Sequence, residues 1–467
     1  MQQAKLKGSL RRIPSREDSS STKSGLGIFG LVMIGIGGII GAGFFLGCGV
    51  PIQAAGPAVL ISFLVGGLMT AQVTGALTSV AVKHPVIGSF KVYADDYIGP
   101  FVGYLQGWIY YLTGVLTIAS EAVAMGVFTK VWFPEIPLWV SSLTYSAIIV
   151  VINAFGVRSF DRVESFMTVV KISALVAFIL FAAFVLLHGP VVSSTSSATA
   201  SGSFGGRFFA HGVSGILRSM LIVIFAYAGI GVFATAAVDV KNGQKVERSA
   251  VWTVVLLTVL YVLSIFLLLS IESWTKMSTA TSPFVLALMH NGGSWLAEGI
   301  NGAILMASFS VMAGSVFSST QILVSLGQSG EAPRLVNHVS KRGISYGGLA
   351  ITAAGIGVAI GAAYALPSSV YNFLISASSF MTFFYWAVML WTFLRWRKTQ
   401  EGRTARISRL AFGAPYSTYL TLGLFVLLTI YALFEPSQRI AFYAFLVLVA
   451  LLVIGYWFVR ASRKSAR

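Results

Sequence analysis

Charged side chains are scarce in this sequence. They make up 10% of its 467 residues, whereas 56% of the residues are hydrophobic. A soluble globular protein carries about 25% charged residues, because its surface must be solvated. The composition therefore excludes a soluble globular protein and predicts a membrane protein that crosses the bilayer several times.

Cysteine and histidine are also rare. Cys48 is the one cysteine, and the five histidines are scattered along the chain. The sequence therefore has no internal disulfide, no clustered metal ligands and no nucleophile beside a base. Cys48 lies in an apolar run and is interpreted as a small buried residue. The sequence predicts neither an enzyme nor a cofactor or metal site.

Acidic residues are scarce as well. The sequence has 15 Asp and Glu residues and 32 Lys and Arg residues, so its formal net charge is +17. If the N-terminus is cytoplasmic, 26 of the 32 basic residues fall on the cytoplasmic side and five fall outside. This bias predicts cytoplasmic N- and C-termini for a multi-pass protein of the cell membrane. It also indicates anionic membrane lipid, and no nucleic acid, as the partner of the basic patches.

Long apolar runs are abundant. A transmembrane helix needs about 20 apolar residues, and twelve runs approach or exceed that length. They cover residues 26–50, 55–81, 101–130, 137–155, 164–187, 212–238, 249–271, 296–326, 347–366, 370–394, 416–434 and 440–460. The sequence therefore predicts an all-α polytopic membrane protein with twelve transmembrane helices.

Glycines interrupt the first of these runs. Residues 35–43 read Gly-Ile-Gly-Gly-Ile-Ile-Gly-Ala-Gly, so five of nine positions are glycine. Each glycine in a helix interior costs about 1 kcal/mol relative to alanine. Irregular backbone is tolerated at membrane depth only where protein covers it or where it lines a cavity. This break is therefore a candidate ligand site.

A second break occurs five runs later, at residues 225–231, which read Phe-Ala-Tyr-Ala-Gly-Ile-Gly. Two interrupted helices at equivalent positions indicate an inverted repeat of five helices plus five. The predicted domains follow from this spacing. They are a disordered cytoplasmic tail (1–24), a transporter core (25–394, with repeats at about 25–187 and 212–394), a cytoplasmic loop (395–415), helices 11 and 12 (416–460) and a cytoplasmic tail (461–467).

The breaks suit a zwitterionic amino acid. A half-helix that begins exposes N–H groups, and one that ends exposes carbonyl groups. The N–H groups can bind the carboxylate of the amino acid, and the carbonyl groups can bind its ammonium. Glycines such as Gly229 let the backbone approach the ligand. The predicted donors are the N–H groups of Ile40, Gly41, Ala42 and Gly43. The predicted acceptors are carbonyls near Phe225, Ala226 and Tyr227, with Ile36 and Gly37. The sequence has no acid within either break, so we expect no acid to line them, and this favours a neutral substrate.

Two charged residues lie inside apolar runs. Glu121 in the third run is a functional candidate because an acid at membrane depth is costly; a hydrogen-bonded structural carboxyl is the alternative. Lys171 in the fifth run is either a snorkelling lysine or a buried amine that gains and loses a proton. The residues themselves do not decide between these alternatives.

Several motifs resemble the amino acid permeases of the APC (amino acid–polyamine–organocation) superfamily. They are Gly35-Ile-Gly-Gly-Ile-Ile-Gly-Ala-Gly-Phe-Phe-Leu-Gly47, His84-Pro85-Val-Ile-Gly88-Ser89-Phe90 with Tyr93, Gly99-Pro100, Gly103, Gly107-Trp108, Glu121, Asp239-Val-Lys-Asn242 and Gly327 to Pro333. The resemblance implies the leucine-transporter-type 5+5 inverted repeat with broken helices 1 and 6. It also implies amino acid uptake, commonly with protons.

The resemblance also implies roles for individual residues. Lys171 matches a lysine of the fifth helix that takes part in ion coupling, and Ser310 of the eighth helix is expected near it. Phe225 or Tyr227 is expected to act as an aromatic gate. The chain departs from the family pattern at four places, namely Ser79, Gly231, residues 313–315 and Gln321.

These observations lead to one principal hypothesis, a secondary active transporter that imports a neutral amino acid together with protons. The alternatives are an amino acid exchanger and a cationic amino acid permease. A nutrient sensor that binds without transport is a further alternative. The short predicted tails disfavour it, because such sensors add cytoplasmic signalling domains.

Overall fold

The computed structural model describes residues 27–86, 88–156, 160–189, 208–231, 233, 242–340, 343–365 and 370–465. The predicted tail at 1–24 and most of the segment 239–242 lie outside these ranges. Within them, the regular secondary structure is helical. The first nine helices are α1 (Ile28–Gly37), α2 (Ala42–Phe45), α3 (Gly49–Ala55), α4 (Val59–Lys83), α5 (Ser89–Tyr97), α6 (Pro100–Thr129), α7 (Leu138–Phe155), α8 (Phe160–His188) and α9 (Gly212–Ala226). The others are α10 (Gly243–Ile271), α11 (Pro283–His290), α12 (Ser294–Gln328), α13 (Tyr346–Ala365), α14 (Val370–Arg397), α15 (Gln400–Thr404), α16 (Tyr416–Phe434) and α17 (Pro436–Ser465).

The helices coincide with the predicted apolar runs. Among the described residues, ten helical stretches are long and apolar enough to cross a membrane by length and composition. The first of them runs from Ala42 to Lys83 and joins α2, α3 and α4. The helices α1 and α9 are apolar but shorter. The prediction of a polytopic all-α protein is confirmed, and the count of twelve crossings stays a prediction.

Helical structure stops at both glycine-rich segments. The helix α1 ends at Gly37, and α2 begins at Ala42 after an extended Gly41. The helix α9 ends at Ala226, and Gly229 follows with a φ of 111°, a conformation that side chains other than glycine rarely adopt. A Cβ atom on Gly229 would lie 2.5 Å from the Gly38 carbonyl oxygen. The two breaks therefore contact each other.

Two helix ends differ from the sequence prediction. The helix α14 continues to Arg397, and α17 continues to Ser465 instead of ending at residue 460. Lys and Arg are good helix formers and are favoured near the negative end of a helix dipole, and the sequence of each extension contains them. The predicted loop at 395–415 and the predicted tail at 461–467 therefore begin with helix.

The segment after α14 packs against α4. The N–H of Ser408 donates to Ser79 Oγ at 2.9 Å, and Gln72 Nε2 donates to the Phe412 carbonyl at 3.0 Å. A Cβ on Gly75 would overlap Ala411 and Leu410. Ser79, one of the departures from the family pattern, is therefore a docking point for the loop between α14 and α16.

A buried lysine attaches α5 to the chain that follows α12. Lys91 is 1% exposed, and its ammonium lies 2.6 Å from Asp95 Oδ2 and 3.0 Å from Glu331 Oε2. It also donates to Ser329 Oγ at 3.0 Å. A buried ion pair with several hydrogen bonds fixes geometry even where its net contribution to stability is small. The helix α5 is thus held to one end of α12.

We expect Lys91→Ala to destabilise the protein strongly. Removing one partner of a buried ion pair costs about 3–5 kcal/mol, because the remaining charge stays buried. Here the carboxylates of Asp95 and Glu331 would face each other without the ammonium between them. Thermal unfolding of the purified protein measures the effect, and Lys83→Ala is the matched control because Lys83 is exposed. Equal unfolding temperatures for the two variants would contradict the prediction.

Candidate functional site

The two breaks lie side by side in the core. A Cβ on Gly43 would be 2.9 Å from the Phe225 ring and 3.8 Å from the Cα of Ala226. The start of α2 therefore lies against the end of α9. This contact brings the predicted donors of the first break together with the predicted acceptors of the second.

Glu121 occupies the donor end of the first break. Its Oε2 accepts a hydrogen bond from the Ala42 N–H at 2.9 Å, and the residue is 2% exposed. A Cβ on Gly41 would lie 2.6 Å from Glu121 Oε1. The expectation that no acid lines the breaks is therefore wrong. An acid reaches the first break from α6, 79 residues away in the sequence, and the residues of the break itself could not reveal it.

Not all of the N–H groups predicted to bind a substrate carboxylate are available for it. The N–H of Ile40 donates to the Ile36 carbonyl at 2.9 Å, which removes Ile40 from the donor set. The residues Gly41, Ala42 and Gly43 begin the second half-helix, whose N–H groups point toward Glu121. The carboxylate of this glutamate stands where a substrate carboxylate was expected.

Lys171 occupies the acceptor end of the same break. Its Nζ donates to the Gly37 carbonyl at 2.6 Å and to Ser310 Oγ at 2.9 Å, and the side chain is fully buried. The expected proximity of Ser310 and Lys171 is therefore seen in the structure. Full burial excludes the snorkelling alternative, in which the ammonium would reach the surface. An ammonium group thus lies at the carbonyl end, and a carboxylate lies at the N–H end.

Glu164 completes this group, and the sequence reasoning missed it. Its Oε2 accepts a hydrogen bond from Ser310 Oγ at 2.5 Å, and its Oε1 lies 3.8 Å from Lys171 Nζ. Residues seven apart share one face of a helix, so the spacing of Glu164 and Lys171 in α8 was a usable signal. The fifth predicted run begins at Glu164, but only Lys171 was singled out within it.

Other polar groups already contact the carbonyls of the second break. The hydroxyl of Tyr261 donates to the Ala226 carbonyl at 3.1 Å, and the Ala228 N–H donates to the Phe225 carbonyl at 3.0 Å. A carbonyl oxygen has two lone pairs and can accept a second bond. These carbonyls therefore keep the capacity to bind an ammonium.

The two gate candidates differ in their surroundings. The hydroxyl of Tyr227 donates to the Phe63 carbonyl of α4 at 2.9 Å, which holds the ring in the core. The ring of Phe225 lies against Gly43, directly beside the first break. Of the two, Phe225 has the position of a gate, and this role stays a prediction.

Aromatic clusters lie on both sides of the breaks. On one side, Phe44 stacks on Tyr261 at 3.8 Å and contacts Phe284 of α11. On the other side, Tyr110 lies 4.4 Å from Phe90 and 5.4 Å from Tyr385, measured between ring centroids. Both clusters join helices that are distant in sequence.

The described ranges contain no group of three or more His, Cys, Asp or Glu side chains arranged to hold a metal ion. The buried charged side chains at the breaks are one cationic residue, Lys171, and two acidic residues, Glu121 and Glu164.

Known amino acid permeases are similar to this chain over most of its length. Residues 30–466 match the family model described as amino acid permease. The chain is 31% identical to an uncharacterized amino acid permease, YtnA, of Bacillus subtilis (strain 168) over 413 residues, which cover 88% of this chain and 89% of the relative. It is 29% identical to the aromatic amino acid transport protein AroP of Escherichia coli (strain K12) over 456 residues, 97% of this chain and 99% of the relative.

A solved structure shows the same fold. A manganese transporter of Eremococcus coleocola superposes with a TM-score of 0.61 at 13% identity, covering 93% of this chain and 94% of the transporter. At this identity the likeness concerns the fold alone. The family model covers nearly the whole chain and the polytopic helical architecture agrees with it. The chain therefore belongs to the amino acid permease family.

Proposed function

We propose that the protein imports a neutral amino acid together with a proton. One observation carries this proposal: the first break already holds a carboxylate at its N–H end and an ammonium at its carbonyl end. These are the two groups that an amino acid presents. The Glu121 carboxylate at Ala42 marks the position of the substrate carboxylate. The substrate ammonium would bind the carbonyls near Phe225, Ala226 and Tyr227.

Glu121 connects substrate binding to protonation. A substrate carboxylate that binds Ala42 must displace Glu121 from that N–H group. A displaced carboxylate in an apolar interior cannot remain ionised without a large cost, so it takes up a proton. Binding of the amino acid therefore requires binding of a proton.

The charge balance of the site favours a neutral substrate. With all three groups ionised, Glu121, Glu164 and Lys171 carry a net charge of −1. One proton brings this charge to zero, and a zwitterionic amino acid leaves it at zero. Relatives named as aromatic amino acid transport proteins agree with this preference.

A cationic substrate is the second candidate, and Glu121 is the observation that favours it. A lysine or arginine side chain would neutralise the charge of −1 without a proton. An exchanger is the third candidate, because two amino acids could alternate at the same break without net proton movement. The coupling of accumulation to a proton gradient separates these candidates.

The architecture of the proposed transporter is the 5+5 inverted repeat. The pairing of helices supports it, since α4 packs on α10 and α6 packs on α12. Each of these pairs joins equivalent positions of the two proposed repeats.

We place both termini in the cytoplasm, because the basic residues are concentrated on that side.

We expect Glu121→Gln to separate binding from coupling. Glutamine resembles the protonated acid, so binding of a neutral amino acid should persist and become independent of pH. Proton-driven accumulation should be lost, because the site can no longer take up a proton at this position. Uptake of radiolabelled amino acids into proteoliposomes with an inward proton gradient, with counterflow in parallel, measures both quantities.

The same variant tests the cationic alternative. A permease for lysine or arginine would lose affinity in Glu121→Gln, because the substrate would lose its counter-ion. Glu135→Gln is the matched control, since Glu135 is exposed. Accumulation of neutral amino acids in the wild type without a proton gradient, or unchanged coupling in Glu121→Gln, would exclude the proposed mechanism.

A further inference from the structure

Glu164 is a buried acid to which the proposed cycle assigns no step. It lies in the second turn of α8, and its side chain is 4% exposed. A buried carboxylate costs several kcal/mol unless it is paired and hydrogen-bonded. Its neighbours are therefore informative about its role.

A hydrogen-bonded chain with one direction joins Lys171 to Glu164. Lys171 Nζ donates to Ser310 Oγ at 2.9 Å, and Ser310 Oγ donates to Glu164 Oε2 at 2.5 Å. The second distance is typical of an O–H group bound to a carboxylate. The order ammonium, hydroxyl, carboxylate is the geometry along which a proton can pass.

The second carboxylate oxygen of Glu164 also lies near the Lys171 ammonium. Glu164 Oε1 has no hydrogen-bond partner among the described residues and lies 3.8 Å from Lys171 Nζ. The ionisable groups that act on this ammonium are Glu164, from its own helix, and Glu121 of α6. Glu121 is bound at Ala42, so the hydrogen-bonded chain from Lys171 leads to Glu164.

The glycine at position 37 makes room for this arrangement. A Cβ at Gly37 would overlap the carboxylate of Glu164 and the hydroxyl of Thr168. The Gly37 carbonyl is also the group that Lys171 holds. The break is therefore shaped to place Glu164 beside the carbonyl end of the first half-helix.

We propose that Glu164 is the proton acceptor of Lys171, an inference that rests on the proposed proton coupling. The proton of Nζ passes to Ser310 Oγ while the hydroxyl proton of Ser310 passes to Glu164 Oε2. The ammonium becomes an amine, the carboxylate becomes a carboxylic acid, and the Ser310 hydroxyl is restored. The pair has zero net charge before and after the transfer.

This transfer lets Lys171 lose its charge without leaving an isolated charge in the core, which would be costly. The neutral amine binds the Gly37 carbonyl more weakly than the ammonium does, because a hydrogen bond to a charged group is about twice as strong. The transferred proton then lies on Glu164, near the end of α8 assigned to the cytoplasm.

We expect Glu164→Gln to uncouple transport without abolishing it. Glutamine retains an acceptor oxygen for Ser310 but cannot take a proton. One proton per substrate allows about tenfold accumulation for a gradient of one pH unit, since one pKa unit is 1.36 kcal/mol. In proteoliposomes, Glu164→Gln should retain counterflow and show no proton-driven accumulation. A pH-sensitive dye inside the vesicles should show no proton release with substrate, because Glu121 can still take up a proton but residue 164, near the end of α8 assigned to the cytoplasm, can no longer accept one and pass it on.

Two serine variants examine the middle of the chain. Ser310→Ala should show the same loss of accumulation with retained counterflow, because no hydroxyl connects the two charged groups. Ser310→Thr keeps a hydroxyl and should restore accumulation. Glu298→Gln makes the same chemical change at an exposed glutamate and should behave like the wild type.

Two results would overturn the inference. One is wild-type accumulation in Glu164→Gln, and the other is a parallel loss of counterflow and accumulation, which would indicate a structural role. Failure of the proposed function has a different signature. If the wild type itself performs counterflow without proton-driven accumulation, proton coupling fails and this inference fails with it. If the wild type is coupled and Glu164→Gln is equally coupled, the inference alone fails.

Discussion

Lys171→Ala is expected to abolish proton-driven accumulation of the amino acid. The substitution removes the ammonium that donates to the Gly37 carbonyl and to Ser310 Oγ. Without it, the carbonyl end of the first half-helix is no longer held by a group that can be protonated and deprotonated. Uptake into proteoliposomes across a proton gradient should fall to the level reached by equilibration, and substrate-dependent proton uptake should disappear.

Lys171→Ala also leaves the Glu164 carboxylate buried without its cation. Loss of one partner of a buried ion pair lowers the free energy of unfolding by about 3–5 kcal/mol. The double variant Lys171→Ala with Glu164→Gln removes both charges and should recover much of this stability. Transport by the double variant should remain uncoupled from the proton gradient. Lys130→Ala, at an exposed position, is the control for the loss of a lysine. Proton-driven accumulation in either Lys171 variant would show that the lysine is structural.

The sequence revealed the breaks because their cause is local. Glycines at residues 35–43 and 225–231 lower helix propensity within the segment itself, so no knowledge of neighbours was needed. Glu121 and Lys171 were recognisable for a similar reason, because a charge inside an apolar run is costly wherever the chain folds. Each of these signals is contained in a short stretch of sequence.

The partners of these residues were beyond the reach of the sequence. Glu121 meets Ala42 across 79 positions, and Ser310 meets Glu164 across 146 positions. Such contacts depend on how helices pack, which hydropathy does not specify. Glu164 was missed for a second reason, since it stands at the first position of the fifth apolar run, where a charged residue is common. The hydrogen bond that occupies the Ile40 N–H depends on the exact end of α1 and was equally hidden.

The packing also explains how an uncharged break can recognise ions. Glu121 and Lys171 lie at opposite ends of the break, so the protein itself supplies the charges that balance the two half-helix dipoles. A substrate can enter only where it replaces one of these internal groups. Selectivity for an amino acid, and the link to a proton, would then have the same physical origin.

Gly41→Ala tests this replacement directly, and we expect it to lower substrate affinity by at least about tenfold, which corresponds to 1.4 kcal/mol. A Cβ at this position would lie 2.6 Å from Glu121 Oε1 and 2.9 Å from Val311 Cγ2. The methyl group therefore occupies the space in which a carboxylate oxygen contacts the N–H groups of α2. It crowds the Glu121 carboxylate and would crowd a substrate carboxylate in the same place. Thermal-shift titration of the purified protein against the twenty amino acids identifies the ligand and measures the loss.

Gly38→Ala is the matched control for this experiment. It lies in the same break, and its Cβ would be 3.6 Å from the nearest atom, an ordinary contact. Both variants add one methyl group and restrict the unfolded chain equally, so differences in affinity report the space around each position. Gly38→Ala should bind the ligand like the wild type. A folded Gly41→Ala protein with unchanged affinity would exclude the N–H end of α2 as the carboxylate site, because the added methyl group lies beside the carboxylate that binds Ala42.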